Sequence, residues 1–490
     1  MPTTTPTGEG GAEKHPARGR IPLPGLSLGI SERRLLLGVV DGLAMNAALA
    51  AALALRQDAG SLGEQLRQFT AHPEWFALLT LLWLVIASVF DCYDLETASN
   101  AFTSAFAVAR AVAVTCLVYL FAPYISPPLF QSRFAWLLLI LFAVCLVVAW
   151  RIVYATVFVQ PVFQRKALIV GAGRTGITLL QTLQAVASSD YCVCGFIDDD
   201  PAKRGASVEE IPVLGTSQEL LSVAKREGVN EVILAITYAD TMSKSLLQAI
   251  MDCHEQGIHV ATMPVVYESI AGRVAVEHIG RRLHLLLPLN FSATQRIYEA
   301  LKRLFDVVGA IIGLAVFTIC LPFIVVAIKL DSWGAVFYAQ ERVGKGGRVF
   351  KVIKLRSMVE GAEKHGQAVW ATADDERVTR VGKFLRRTRL DEVPQLVNVL
   401  KGEMSLVGPR PERPQFVAQL AEQIPFYRAR HAVKPGLTGW AQVKYRYGST
   451  VDDALIKLQY DLYYIKHRSL YLDLLIATKT VLVMLSFQGT

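Results

Sequence analysis

LFDVVGAIIGLAVFTICLPFIVVAIKL, residues 304–330, is one apolar run with Pro322 about two thirds of the way along. A helix of about 20 apolar residues is enough to cross a bilayer. Whether this run crosses decides on which side of a membrane residues 331–490 fold. Proline removes a backbone hydrogen bond and kinks a helix. A helix that enters, bends and returns keeps both ends on one side, with Asp306 and Lys329 at headgroup level. A straight span would put a long Lys/Arg-rich segment on the far face, against the positive-inside tendency. The sequence therefore predicts a re-entrant helix over 304–330, broken at Pro322.

Upstream lie four more apolar runs, at about 35–55, 74–90, 103–123 and 134–159. Each approaches or exceeds the ~17–25 residues that a spanning helix needs. The second is short but carries Trp75 and Trp83, and tryptophan favours membrane interfaces. Pro127–Pro128 suits a tight turn between the third and fourth. Arg33 and Arg34 precede the set, and Arg151, Arg165 and Lys166 end it, so both ends are expected in the cytoplasm. Residues 32–160 read as a four-helix transmembrane bundle, after a Thr/Pro/Gly-rich disordered tail over 1–31. A hydrophobic content of 52% argues against an ordinary soluble enzyme. The seven cysteines show neither disulfide nor zinc spacing and read as reduced packing residues.

Residues 161–290 change character. KALIVGAGRTG (166–176) is an apolar strand running into a glycine turn and a helical pattern. Further strands follow at YCVCGFIDDD (191–200), EVILAI (231–236) and IHVATMP (258–264). Strands alternating with helices predict a doubly wound, Rossmann-like parallel sheet. Gly171, Gly173 and Gly176 match the dinucleotide fingerprint, and Asp198 stands where a ribose-binding acid would. The loop is either a nucleotide site or an inherited strand–turn–helix. A short-chain reductase would add Tyr-x-x-x-Lys in the same domain. Tyr298 and Lys302 have that spacing but lie beyond it and read as chance.

Residues 296–490 carry 29 Lys/Arg against 18 Asp/Glu, so they hold more than the whole chain's net charge of +8. A basic segment tied to a membrane implies anionic partners, lipid headgroups or phosphates, and no nucleic acid is expected. The tail from residue 451 reads as helices lying at an interface. Within RRTRLDEVPQ (386–395), Asp391 and Glu392 are either a salt-bridged turn or a reaction centre. A carboxylate can attack phosphorus when the target's charge is masked. Lys354, Arg356, Arg386, Arg387 and Arg410 are available to mask a diphosphate, and Mg²⁺ could bridge through Glu392. The residues alone leave both readings open.

KLRSM (354–358), RRTRLDEVPQLVNVLKGEMSLVGPRPE (386–412) and PGLTGWAQV (435–443) fall in the order found in the monotopic phosphoglycosyl transferases, bacterial sugar transferases that this chain resembles over about 32–490. The resemblance implies a membrane protein with a four-helix bundle, a Rossmann-like domain, and a mixed α/β monotopic catalytic domain over 296–490 with a re-entrant helix. It implies transfer of hexose-1-phosphate from a UDP-sugar, expected to be UDP-glucose or UDP-galactose, to undecaprenyl phosphate at the bacterial inner membrane, starting exopolysaccharide, capsule or O-antigen synthesis. Asp391 would be the nucleophile, Glu392 the Mg²⁺ ligand, and Lys354 and Arg386 phosphate holders. Pro409, Arg410 and Pro411 would line the uridine or diphosphate pocket, and Pro322 would break the membrane helix. Arg389 departs from the usual Ser, Val393 from Leu and Leu355 from Phe. A homodimer is expected, with the Rossmann-like domain serving dimerisation or regulation. The alternative is an NAD-dependent, nucleotide-sugar-modifying membrane enzyme that works through that domain.

Overall fold

The computed structural model describes residues 30–55, 67, 70–122, 133–158, 164–188, 190–236, 242–278, 293–359, 377–445, 448 and 450–485. Nearly all of the expected disordered tail, and the Pro127–Pro128 link, lie outside these residues. Ile30 and Ser31 already belong to the first helix.

The apolar runs form α1 (Ile30–Ala54), α2 (Pro73–Val89), α3 (Ala101–Leu120) and α4 (Arg133–Val157). Asn100 caps α3, its side chain accepting from the backbone N–H of Phe102 and Thr103. Small residues at the centre, such as Ala107, Ala111 and Ala143, let the helices close around Leu79, Trp83 and Leu139. Leu35, Leu43, Leu81, Leu137 and Leu141 face outward. Among the described residues, α1, α3, α4 and a later helix are long and apolar enough to cross a membrane, and α2 is shorter.

Three of the expected flanking cations are paired, Arg165 with Glu231 at 2.9 Å among them. Arg33 is buried and donates to Asp190 at 2.6 Å, and Arg151 is buried against Asp41 and the Cys92 carbonyl. An unpaired buried charge costs more than the chain can absorb, so each arginine takes a carboxylate. The Arg33–Asp190 pair ties the start of α1 to the α/β domain. The end of α4 feeds that same domain, so both ends of the bundle meet it on one side.

The α/β domain contains β1 (Arg165–Val170), α5 (Arg174–Val186), β2 (Tyr191–Ile197), β3 (Ser207–Val208), β4 (Ile211–Gly215), α6 (Leu220–Glu227), β5 (Glu231–Leu234), α7 (Lys244–Glu255), β6 (His259–Thr262) and α8 (Met263–Ala271). Its sheet order is β3-β4-β2-β1-β5-β6, all parallel except the short edge strand β3. The four expected strands are β1, β2, β5 and β6. The β3–β4 pair is an addition.

The last part is built on α9 (Ala293–Asp331), β7 (Phe337–Val343), β8 (Val349–Leu355), α10 (Arg380–Arg387), α11 (Leu396–Lys401), β9 (Ser405–Val407), α12 (Pro414–Gln423), β10 (Gly436–Thr438), α13 (Trp440–Lys444), α14 (Val451–Lys466) and α15 (Leu470–Leu485). Contrary to expectation, Pro322 lies inside α9, which continues on both sides of it. The ring removes one hydrogen bond, which a long helix tolerates as a local bend. The tail departs from its interfacial reading too: Leu458, Leu462, Tyr464 and Ile465 of α14 are core residues, and α15 buries Leu472 and Ile476. Val274 and Val276, just past α8, sit in that same core, so the packing divides the two domains before residue 290. Among the described cysteines all are free, and Cys145, Cys192 and Cys320 are exposed rather than packed.

Candidate active site

Thr379 caps α10 by accepting from the Gly382 N–H at 2.9 Å. Gly382 lies so close to Ser357 that a Cβ there would stand 2.0 Å from its carbonyl oxygen. Past the end of α10, Arg389 adopts a left-handed backbone, φ +56°. Such a conformation costs a non-glycine residue about 1–2 kcal/mol. The bend starts a short 3₁₀ turn, Leu390–Gln395, whose first residues include Asp391 and Glu392. Both carboxylates face inward and are only 8% exposed.

Their surroundings differ. Lys354, near the end of β8, donates to Glu392 Oε1 at 2.7 Å. Arg410, after β9, donates to the same oxygen at 2.6 Å and to Oε2 at 3.2 Å. Burial raises the Glu392 pKa, but Arg410 and Lys354 outweigh it and hold this carboxyl well below its ordinary value. Asp391 accepts no hydrogen bond from any described residue. Burial, then the charge of Glu392, pushes it up to about 6 against the pull of Lys354, Arg386 and Arg410. One buried acid is neutralised by cations; its neighbour is left open and basic enough to react.

The frame around Arg410 is rigid. β9 and β10 pair in parallel, and Gly408 and Gly436 sit too close together for side chains. Arg430 donates to the Arg410 carbonyl at 3.1 Å and to Asp461 at 2.7 Å. Burial pushes the Asp461 carboxyl up to about 6, with Arg430 pulling the other way. Arg342 holds the Pro411 carbonyl at 3.1 Å. Sequence reading missed Arg430, Asp461 and Arg342, because nothing in the pattern separates them from the chain's other charged residues.

Of the expected site residues, Lys354, Asp391, Glu392 and Arg410 come together, with Arg386 close enough to act on the Asp391 charge. Arg386 also donates to Ser357 Oγ at 3.0 Å. Arg387 is on the exposed side of α10. Arg356 is committed elsewhere, donating to the carbonyls of Ser332 and Trp333 beyond the end of α9. Pro409, Arg410 and Pro411 line a cavity of only about 10 Å³. That is room for a single water. Tyr298 and Lys302 share one face of α9 and both meet Asp473, at 2.8 and 3.1 Å, which pins α15 to α9. Their spacing is structural.

In the α/β domain, the turn from β1 to α5 holds Gly171, Gly173 and Gly176 beside Asp198. The carboxylate of Asp198 accepts from Ala172 N at 2.8 Å, Lys203 Nζ at 2.9 Å and Asp200 N at 3.0 Å. The acid expected to meet a ribose is largely used by the protein itself.

A bacterial sugar transferase family model matches residues 297–487, and a CoA-binding domain model matches 88–264. The chain is 45% identical to a UDP-N-acetylgalactosamine-undecaprenyl-phosphate N-acetylgalactosaminephosphotransferase of Aeromonas hydrophila, over 48% of this chain and 55% of the relative. It is 30% identical to a UDP-galactose-lipid carrier transferase of Erwinia amylovora, over 73% of this chain and 76% of the relative. It is 37% identical to a UDP-glucose:undecaprenyl-phosphate glucose-1-phosphate transferase of Xanthomonas campestris pv. campestris, over 56% of this chain and 57% of the relative. The matches thus span little more than half the length of the first and third relatives.

Proposed function

The chain belongs to the bacterial sugar transferases, and from that premise we propose that it moves a sugar-1-phosphate from a UDP-sugar to undecaprenyl phosphate, releasing UMP. The observation that carries this reading is the unequal state of two adjacent buried acids: Glu392 is gripped by Lys354 and Arg410, while Asp391 accepts no hydrogen bond from any described residue. In the proposed mechanism an Asp391 oxygen attacks the sugar-linked phosphorus. The bond from that phosphorus to the bridging oxygen breaks, and UMP leaves with the electron pair. An oxygen of undecaprenyl phosphate then attacks the same phosphorus, forming a polyprenyl diphosphate sugar and freeing the Asp391 carboxylate. Lys354, Arg386 and Arg410 offset the negative charge that would otherwise repel the nucleophile.

The donor set suits Mg²⁺ in one respect. Glu392 Oε1 takes both short cation contacts, whereas Oε2 has only the 3.2 Å contact from Arg410 and keeps acceptor capacity. Glu392 is the residue that would hold the ion. When bound, the ion would neutralise charge on the diphosphate.

Support for a re-entrant α9 comes from its packing. Arg303 donates to the carbonyls of Val399 and Leu400, and Asp306 accepts from Ser405 and Leu406. At the other end, Ile328 packs with Leu355 and Leu385, and Asp331 accepts from Val381 N. One folded domain therefore holds α9 near both of its ends. The outer stripe of Leu304, Val308, Ile311, Ile319, Phe323, Val326 and Leu330 is exposed and apolar. A helix that enters one leaflet, bends near Pro322 and returns satisfies both faces. A perpendicular span would drag charged α10 through hydrocarbon. In this arrangement the catalytic and α/β domains share the cytoplasmic side of the bacterial inner membrane, where UDP-sugars are made.

The alternative, redox chemistry in the α/β domain, is weakened by the internal engagement of Asp198. The test is UMP release from UDP-glucose, UDP-galactose, UDP-N-acetylglucosamine and UDP-N-acetylgalactosamine with undecaprenyl phosphate. Acceptor-dependent UMP from one donor is expected. No UMP from any donor, or NAD turnover without lipid, would overturn the reading.

A further inference from the structure

Asp91 stands in the turn that follows α2, with a left-handed backbone, φ +54°. That region is unfavourable for any residue with a Cβ, and least so for Asp and Asn. Glycine or asparagine would serve the turn as well, so the backbone does not call for a carboxylate. Among the described residues, the two cations within 4.0 Å of this carboxylate both belong to the basic domain. Lys479 of α15 donates to Oδ1 at 2.6 Å, and Lys444 of α13 lies 4.0 Å from the same oxygen.

The need lies on the other side of the contact. Lys479 is only 8% exposed. A buried ammonium without a counter-charge is strongly destabilising. The carboxylates that act most on its charge, Asp91 and then Asp94, both come from the bundle, while its charged neighbour in the basic domain is Lys444, of the same sign. The turn that presents Asp91 is firmly held. Cys92, the next residue, gives its carbonyl to buried Arg151 at 2.6 Å. Just before the turn, Ser88 Oγ accepts from the Tyr471 hydroxyl of α15 at 2.9 Å. Two polar ties therefore join the end of α2 to α15.

Behind Lys479 the contacts lead to the acids. Thr480 and Thr438, the last residue of β10, bring their hydroxyls to 2.7 Å. Thr480 already donates to the Ile476 carbonyl, so Thr438 is the donor. The Thr438 carbonyl accepts from Gly408 N at 2.8 Å, and Gly436 N donates to the Pro409 carbonyl at 2.9 Å. Arg410 is the next residue, and its guanidinium grips Glu392. Polar contacts and short stretches of backbone thus run without a break from the bundle to the cation beside the two acids.

We propose that Asp91 is a positioning residue for sugar-phosphate transfer: it seats Lys479 and, through Thr480 and Thr438, fixes the strand pair that aims Arg410 at Glu392. The bundle is then part of the catalytic frame as well as a membrane anchor. The effect on rate rests on the transferase reading; the mechanical tie does not.

The full-length protein in detergent tests both parts. Asp91→Asn keeps a residue suited to φ +54° but leaves Lys479 buried without its counter-charge. Hydrogen–deuterium exchange over residues 403–410 and 436–440 should quicken about tenfold. The kcat for UMP release should fall about tenfold. KM for undecaprenyl phosphate should stay within about twofold, whereas a bundle that only anchors the domain would raise that KM and spare kcat. Adding Lys479→Met to Asp91→Asn removes the stranded charge and should bring both readouts back to within about threefold of the wild type. Unchanged exchange in Asp91→Asn, a change confined to the acceptor KM, or no recovery in the double variant would overturn the proposal. If the wild type releases no UMP from any donor, the transferase reading falls and exchange alone decides whether the tie exists.

Discussion

Glu392 and Asp198 are each held by a lysine, at 2.7 and 2.9 Å, and each has a second carboxylate beside it in the chain. In the α/β domain the neighbour, Asp199, is tied to a backbone N–H. In the basic domain the neighbour, Asp391, is buried near Lys354, Arg386 and Arg410 and accepts no hydrogen bond from any described residue. The same residue types thus make a finished structural knot in one place and an unfinished one in the other. Chemistry belongs where a group is left unsatisfied at a cost the surrounding fold can bear.

The largest expected effect comes from the open acid. Asp391→Asn should lower UMP release by 10³-fold or more in a coupled UMP assay, because no other described group stands in for the nucleophile. The same change should stabilise the fold. A buried carboxyl raised to about 6 weakens the folded state above that pH, a penalty that vanishes below its ordinary value of 3.8. At pH 7.5 the gain should be about 1–3 kcal/mol in chemical denaturation. Asp198→Asn should do the reverse, leaving UMP release within about twofold and costing about 1–2 kcal/mol.

Glu392→Gln comes next. It strips Lys354 and Arg410 of their shared counter-charge, so stability should fall by about 3 kcal/mol and UMP release by about 10²-fold. A milder effect is the acid limb of the pH profile. Asp391 must be ionised to attack, so the rate should fall tenfold per unit below about pH 6. Because the Glu392 charge helps raise Asp391, residual activity in Glu392→Gln should show that limb at lower pH. The smallest effect is at Arg389: Arg389→Gly, which suits φ +56°, should change stability by less than about 1 kcal/mol.

Much of this was legible in the chain. The four apolar helices and four parallel strands follow from periodicity and length, whereas the grouping of Lys354, Asp391, Glu392 and Arg410 needed the family resemblance beside the charge pattern. Strand β4 was missed because Ile211–Gly215 is short and contains Pro212, which hides its pattern. Arg356 looked like a phosphate ligand until the chain placed Ser332 and Trp333 against it. Arg33 and Arg151 looked like free flanking charges, but their partners Asp190 and Asp41 are distant in sequence. Pro322 marks a lost hydrogen bond, not the end of a helix. For the three arginines the deciding contact is tertiary, and local pattern carries no information about it. Arg389, which departs from the usual Ser, has a backbone role as the left-handed residue that starts the turn carrying the two acids.

The most direct test traps the intermediate. The purified protein is mixed with the UDP-sugar that supports turnover, without undecaprenyl phosphate, quenched in acid, digested and examined by mass spectrometry. The expected result is one sugar-phosphate on the peptide carrying Asp391, formed with stoichiometric UMP, absent in Asp391→Asn and discharged by adding undecaprenyl phosphate. UMP formed only when the lipid is present, with no adduct at Asp391 on any timescale of turnover, would contradict the account.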